Sequence, residues 1–75
     1  MYEKINKIIG AILKENRKKL GLTLEEVSSR FGKSKGWLND IESGRNRIYY
    51  DDMLGLCEIY NLDINEIARI IKENK

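Results

Sequence analysis

The chain has 75 residues, one cysteine and no histidine, with 14 basic against 12 acidic side chains and a formal net charge of +2. A chain of this length makes one domain, residues 1–75, and buries only about 60% of its unfolded surface, so a large catalytic cavity would compete with the core for apolar side chains. Cys57 alone excludes a disulfide framework, the lack of histidine excludes the usual Cys/His zinc sites, and no apolar run approaches the ~18 residues of a membrane span.

The spacing of apolar residues predicts five helices and no strands. The first runs from about Glu3 to Leu20, with Ile5, Ile8, Ile9, Ile12, Leu13, Asn16, Arg17 and Leu20 along one face, and Gly21 stops it. Thr23 then serves as an N-cap, with Glu26 completing a capping box, and Leu24, Val27 and Phe31 share the inward face of the second helix. Gly32 breaks the pattern. Ser34 caps a third helix whose inward residues are Leu38 and Ile41 and which ends at Ser43-Gly44. Lys35, Asn39 and Asp40 fall on positions of that helix that need not be buried. Two short helices joined by a glycine turn, over about residues 23–43, form a device for laying the second of them into the DNA major groove. A basic loop, Gly44-Arg45-Asn46-Arg47, follows. The fourth helix spans roughly Asp51 to Tyr60, burying Met53, Leu54, Leu56, Cys57 and Tyr60, and Asn61 stops it. Asp63 caps the fifth, Ile64 to about Lys72, within a C-terminal segment of residues 63–75.

Charge is unevenly spread. Residues 1–35 carry nine Lys/Arg against four acids, whereas residues 51–66 carry five acids and no base. Such asymmetry orients a molecule with its basic side toward a polyanion. No nucleophile is paired with a base, no histidine is present to move protons near neutral pH, and there is no glycine-rich nucleotide loop, so an enzyme is not expected and no cofactor, metal or small-molecule ligand is implied. The adjacent acids Asp51 and Asp52 read as helix-start residues rather than a metal pair.

In order, Arg17, Leu20-Gly21-Leu22-Thr23, Glu25-Glu26-Val27, Gly32, Leu38, Ile41-Glu42, Gly44-Arg45, Leu54, Leu56-Cys57 and Tyr60-Asn61-Leu62-Asp63 resemble the phage repressor and Cro-like helix-turn-helix domains, the XRE family. The resemblance spans about Ile8 to Ile67 without a gap. It implies a compact all-α, five-helix, lambda-repressor-like domain whose second and third helices form the helix-turn-helix. It also implies a sequence-specific transcriptional regulator, a repressor placing the helix 34–43 in the major groove of a palindromic operator, in a bacterial or phage-encoded, cytoplasmic, nucleoid-associated setting.

By the same resemblance, Lys35, Gly36, Asn39 and Asp40 read bases, while Thr23, Lys33, Ser34, Trp37, Arg45, Asn46 and Arg47 hold the DNA backbone. Arg17 and Glu42 match a partly buried ion pair that orients the reading helix. The chemistry of the side chains agrees in part, since Lys donates to guanine, Asn pairs with adenine and Asp accepts from cytosine. Leu24 stands where many relatives have glutamine, and Tyr49 stands where a Ser or Thr would cap the fourth helix, leaving that role to Asp51 or Asp52.

Several residues admit two readings. Gly36 marks either close approach to DNA or a tolerated first-turn glycine. Trp37 either packs at the core edge or turns its indole N–H to a strand. Tyr49 and Tyr50 cover a core edge or touch the backbone, the former being the commoner fate of loop aromatics. Cys57 reads as a small core side chain. Ile64, Ile67, Ile70 and Ile71 exceed what a small core needs and suggest a dimer surface, for which the long first helix with Tyr2, Ile5 and Ile9 competes; the other account is that the two termini pack against each other within one monomer. The alternative function is a protein-interaction module, an antitoxin or regulator subunit whose fifth helix binds a partner protein.

Overall fold

The computed structural model describes residues 2–74 and contains five helices, α1 (Tyr2–Lys19), α2 (Leu24–Ser29), α3 (Lys35–Glu42), α4 (Tyr50–Tyr60) and α5 (Ile64–Glu73), with no strand among the described residues. None of these helices is long and apolar enough to cross a membrane. Every helix sends at least one side chain to a common core: Leu13 from α1, Val27 from α2, Leu38 and Ile41 from α3, Leu56, Cys57 and Tyr60 from α4, and Ile67 from α5. Leu13, Val27, Leu38 and Leu56 are wholly inaccessible to solvent, so truncating one of the leucines to alanine costs about 2–5 kcal/mol.

The helix ends follow from local chemistry. Thr23 Oγ1 accepts from the Glu26 N–H at 3.0 Å while Glu26 Oε1 accepts from the Thr23 N–H at 2.9 Å, which closes a capping box on α2. Ser34 Oγ accepts from the Trp37 N–H at 3.3 Å, and Asp63 Oδ1 from the Asn65 N–H at 2.9 Å. Asn61 ends α4 in the left-handed conformation at φ 53°. The α2–α3 turn needs a residue at φ +65°, which Gly32 supplies without a steric cost, and the Lys33 N–H closes it by donating to the Ser28 carbonyl at 3.1 Å.

The structure departs from the sequence reading at several places. Leu20 and Leu54 are exposed, because α1 unwinds after Lys19 and Leu54 lies on the outer side of α4. Phe31 lies beyond the end of α2 and reaches the core from the turn, its ring tilted against Trp37 with centroids 5.5 Å apart. Tyr49 and Tyr50 are largely exposed, at 79% and 68%. Tyr49 is the N-cap of α4 but makes no side-chain cap bond, and Asp51 instead accepts from the Asp52 N–H within the first turn. Ile67 is buried in the monomer core at 2% exposure, as the account of termini packing within one monomer has it. Ile64 and Ile71 pack beside it, half-buried, while Ile70 stands outside the core cluster. The Tyr2 side chain, Met1 and Lys75 lie outside the described residues.

Candidate nucleic-acid interface

The inward demand of Leu38 and Ile41 fixes which side of α3 faces out. With those two buried, Lys35, Gly36 and Asn39 are exposed and Asp40 is half-exposed, forming one stripe along the outer side of the helix. Eight residues at 1.5 Å each make α3 about 12 Å long, enough to pass some four base pairs in a groove. Ser28, almost fully buried, sits on α2 beside the turn and returns its hydroxyl to the Glu25 carbonyl at 3.4 Å.

Two devices hold α3 against α1. Arg17 reaches from α1 to Glu42 with a two-point fork, Nε to Oε2 at 2.7 Å and Nη2 to Oε1 at 3.0 Å, while Nη1 donates to the Leu22 carbonyl at 2.7 Å. Both residues are 7% exposed, and the Glu42 carboxylate raises the Arg17 pKa above its ordinary value. The fork ties α1, the loop before α2 and the end of α3 into one unit. Gly10 is the second device. A Cβ there would fall 2.4 Å from the Ile41 carbonyl oxygen and 2.5 Å from that of Glu42, so only glycine lets the end of α3 lie this close to α1. Tyr60 packs beside the fork with its hydroxyl buried, and burial pushes its pKa up to about 12.

Cationic and hydroxyl groups flank the outward stripe. Ser34 stands at its N-terminal end, with Lys33 before it in the turn and Thr23 capping the neighbouring helix. A polar cleft of about 360 Å³ runs between α2 and α3, lined by Lys33, Ser34 and Lys35 together with Glu25, Ser28 and Ser29. Along the other flank lies a cleft of about 390 Å³, which brings Lys33 and Trp37 together with Asn46 and Arg47 from the loop after α3, and with Ile41, Tyr49 and Asp52. Trp37 is half-buried, packed on Phe31 and the core on one side and open to this cleft on the other.

Two groups expected to act independently are paired. Arg45 donates from Nη2 and Nε to Asp40 Oδ1 at 2.8 and 3.1 Å, so the residue assigned to bases and the residue assigned to the backbone hold each other. The Thr23 N–H is occupied by Glu26, which leaves the Thr23 hydroxyl proton as that residue's donor toward an anion. The Thr23 hydrogen bonds also hold the Glu26 carboxyl below its ordinary pKa. An added Cβ at Gly36 would meet only Ser34 Oγ at 3.6 Å, so nothing within the protein requires glycine there.

Sequence reasoning missed three contributors: Gly10, Tyr60 and Asp52. Gly10 had a signal, since a glycine inside an isoleucine-rich helix costs about 1 kcal/mol and usually marks a close backbone approach. Tyr60 carried none beyond its apolar spacing, because its position beside the fork depends on how α4 crosses α1. Away from this face, Tyr50, Met53, Ile9, Ile64, Ala68 and Ile71 line a shallow apolar groove of about 310 Å³ floored by Ile67.

The family profile described as a helix-turn-helix domain matches residues 8–70. The chain is also 34% identical over 59 residues to the ImmF control region 10 kDa protein of Bacillus phage phi105, a match that covers 79% of this chain. It spans 66% of that relative, just under two thirds of its length. No solved structure matches the chain significantly.

Proposed function

This chain belongs to the helix-turn-helix domain family of the phage repressor and Cro-like kind, and on that footing we propose that it is a sequence-specific DNA-binding transcriptional regulator. It acts as a repressor by occupying a palindromic operator in the cytoplasm, with the segment 34–43 in the major groove. The observation that carries this reading is the outward stripe of α3. Lys35, Asn39 and Asp40 are held by a buried fork and a glycine contact that serve orientation rather than chemistry. Lys33, Ser34, Asn46 and Arg47 stand on both sides of the stripe, where backbone contacts fix register without carrying sequence information. The likeness to a phage protein named for a control region supports a regulatory role.

One domain with a 12 Å reading helix covers a half-site only, so a second copy is expected. The groove beside α5 supports pairing through Ile64, Ile71 and Tyr50 rather than through Ile67. The same groove supports the second reading, in which this face binds another protein and DNA is secondary.

Selection of bound duplexes from a random pool, together with the mass in solution, tests the proposal. Enrichment of a palindrome with half-sites about one turn apart and a dimeric mass are expected. Absence of any enriched duplex, with tight binding to a partner protein instead, would move the assignment to the second reading.

A further inference from the structure

We propose that Arg45 reads a guanine in the major groove, with Asp40 as its positioning residue; this rests on the DNA-binding reading above. Asp40 grips Arg45 at two levels. Its carbonyl oxygen accepts from the Arg45 and Asn46 N–H groups at 3.0 and 3.3 Å, which folds the chain back after α3. Its carboxylate then takes Nε and Nη2 of the guanidinium on the single atom Oδ1. Both side chains remain accessible, at 62% for Arg45 and 39% for Asp40.

The geometry decides which donors are left. A guanidinium has five N–H groups in a rigid plane, and Asp40 holds the edge made by Nε and Nη2. The end made by Nη1 and the second Nη2 proton stays open, presenting two parallel donors. Guanine, with acceptors at O6 and N7, is the base whose major-groove edge offers two adjacent acceptors; adenine pairs an acceptor with a donor, and thymine an acceptor with a methyl group. A phosphate also accepts a two-point fork. Here the carboxylate beside Arg45 cancels the attraction that a phosphate would exploit, while leaving the directional donors intact. Asp40 lies on the outer stripe of α3, one turn beyond Gly36 and next to Asn39, and it holds the guanidinium of Arg45, from the loop after the helix, beside that stripe. The sequence assigned these roles the other way round, with Asp40 on the base and Arg45 on the backbone.

The test uses the full chain and the duplex that it enriches from a random pool. Wild type, Arg45→Ala and Asp40→Asn are compared on that duplex, on all four bases at each position, and on random duplex. Both positions are exposed, and thermal melting verifies that the variants fold. Arg45→Ala is expected to reduce discrimination at one guanine by about 5- to 150-fold, with a smaller loss on random duplex from the positive charge removed. Asp40→Asn is expected to flatten the same position and to strengthen random binding, because it removes an acid without removing the arginine. Replacing that guanine by 7-deazaguanine, which lacks the N7 acceptor, is expected to weaken wild type and not Arg45→Ala. Equal losses of Arg45→Ala on enriched and random duplexes, with a shallower salt slope, would make Arg45 a phosphate contact and overturn the proposal. So would a change of preference in Asp40→Asn at a base pair that Arg45→Ala leaves untouched. If wild type enriches no duplex, the DNA-binding reading itself fails; if it enriches one without these effects, only the Arg45 assignment fails.

Discussion

Arg17 carries more of the architecture than any other polar side chain, because three of its donors are spent on Glu42 and the Leu22 carbonyl in a nearly dry site. Removing one partner strands the other, and Glu42→Gln is expected to lower stability by about 3–5 kcal/mol in denaturant titration. Replacing both partners by apolar residues of similar volume should cost far less, which would separate the penalty of an unpaired charge from the worth of the pair. Tyr60 gives a second residue-scale test. Its hydroxyl titrates near 10 in the unfolded chain and at about 12 in the folded one, so stability is intact below pH 10 and falls as the pH rises through this window. The loss amounts to about 2–3 kcal/mol. Tyr60→Phe should flatten that decline relative to wild type in melts between pH 9 and about 12. At Gly36 the space around the missing Cβ predicts that Gly36→Ala folds normally and gains up to about 1 kcal/mol of stability. Weaker operator binding by that stable variant would show that the glycine serves the groove.

At the scale of elements, the helices were legible because each is marked by ordinary chemistry: a Thr-x-x-Glu box opens α2, Ser34 opens α3, and Asn61 closes α4. The box makes α2 sensitive to acid. Glu26 has a depressed pKa when folded, so its contribution is present above its unfolded value near 4.5 and is lost as the pH falls below that. Glu26→Gln should therefore differ from wild type in thermal midpoint at neutral pH and converge with it in strong acid. How the helices cross was not legible. A periodic pattern tells which side of α1 is apolar, but it cannot say that the α3 carbonyls come within reach of Gly10. Gly10→Ala is expected to be among the most damaging single methyl additions, because a backbone has to move rather than a side chain. Circular dichroism melting against Ala11→Gly, an exposed control in the same helix, checks it. Leu20 and Leu54 were misplaced for a related reason: near a helix end, or on the margin of an apolar stripe, packing rather than spacing decides burial.

At the scale of the molecule, the candidate interface was legible as a set of residues but not as a set of relations. The outward stripe of α3 follows from the positions of Leu38 and Ile41 alone. That Asp40 holds Arg45, or that Lys33 shares a cleft with Arg47, depends on a loop whose course no local pattern announces. The isoleucines of α5 likewise divide in a way that spacing does not announce. Ile67 serves the monomer core, and only the rim of the groove is left for a partner. The central claim is a division of labour, with the outward stripe of α3 reading bases and Lys33, Ser34, Asn46 and Arg47 on its flanks holding phosphates. Its most direct measurement is titration of Asn39→Ala and Arg47→Ala against the enriched duplex and a shuffled one across salt from about 50 to 200 mM. Asn39→Ala should lose about 1–3 kcal/mol on the enriched duplex only, and Arg47→Ala should lose equally on both with a salt slope shallower by about 1. Identical behaviour of the two variants on both duplexes would contradict the account.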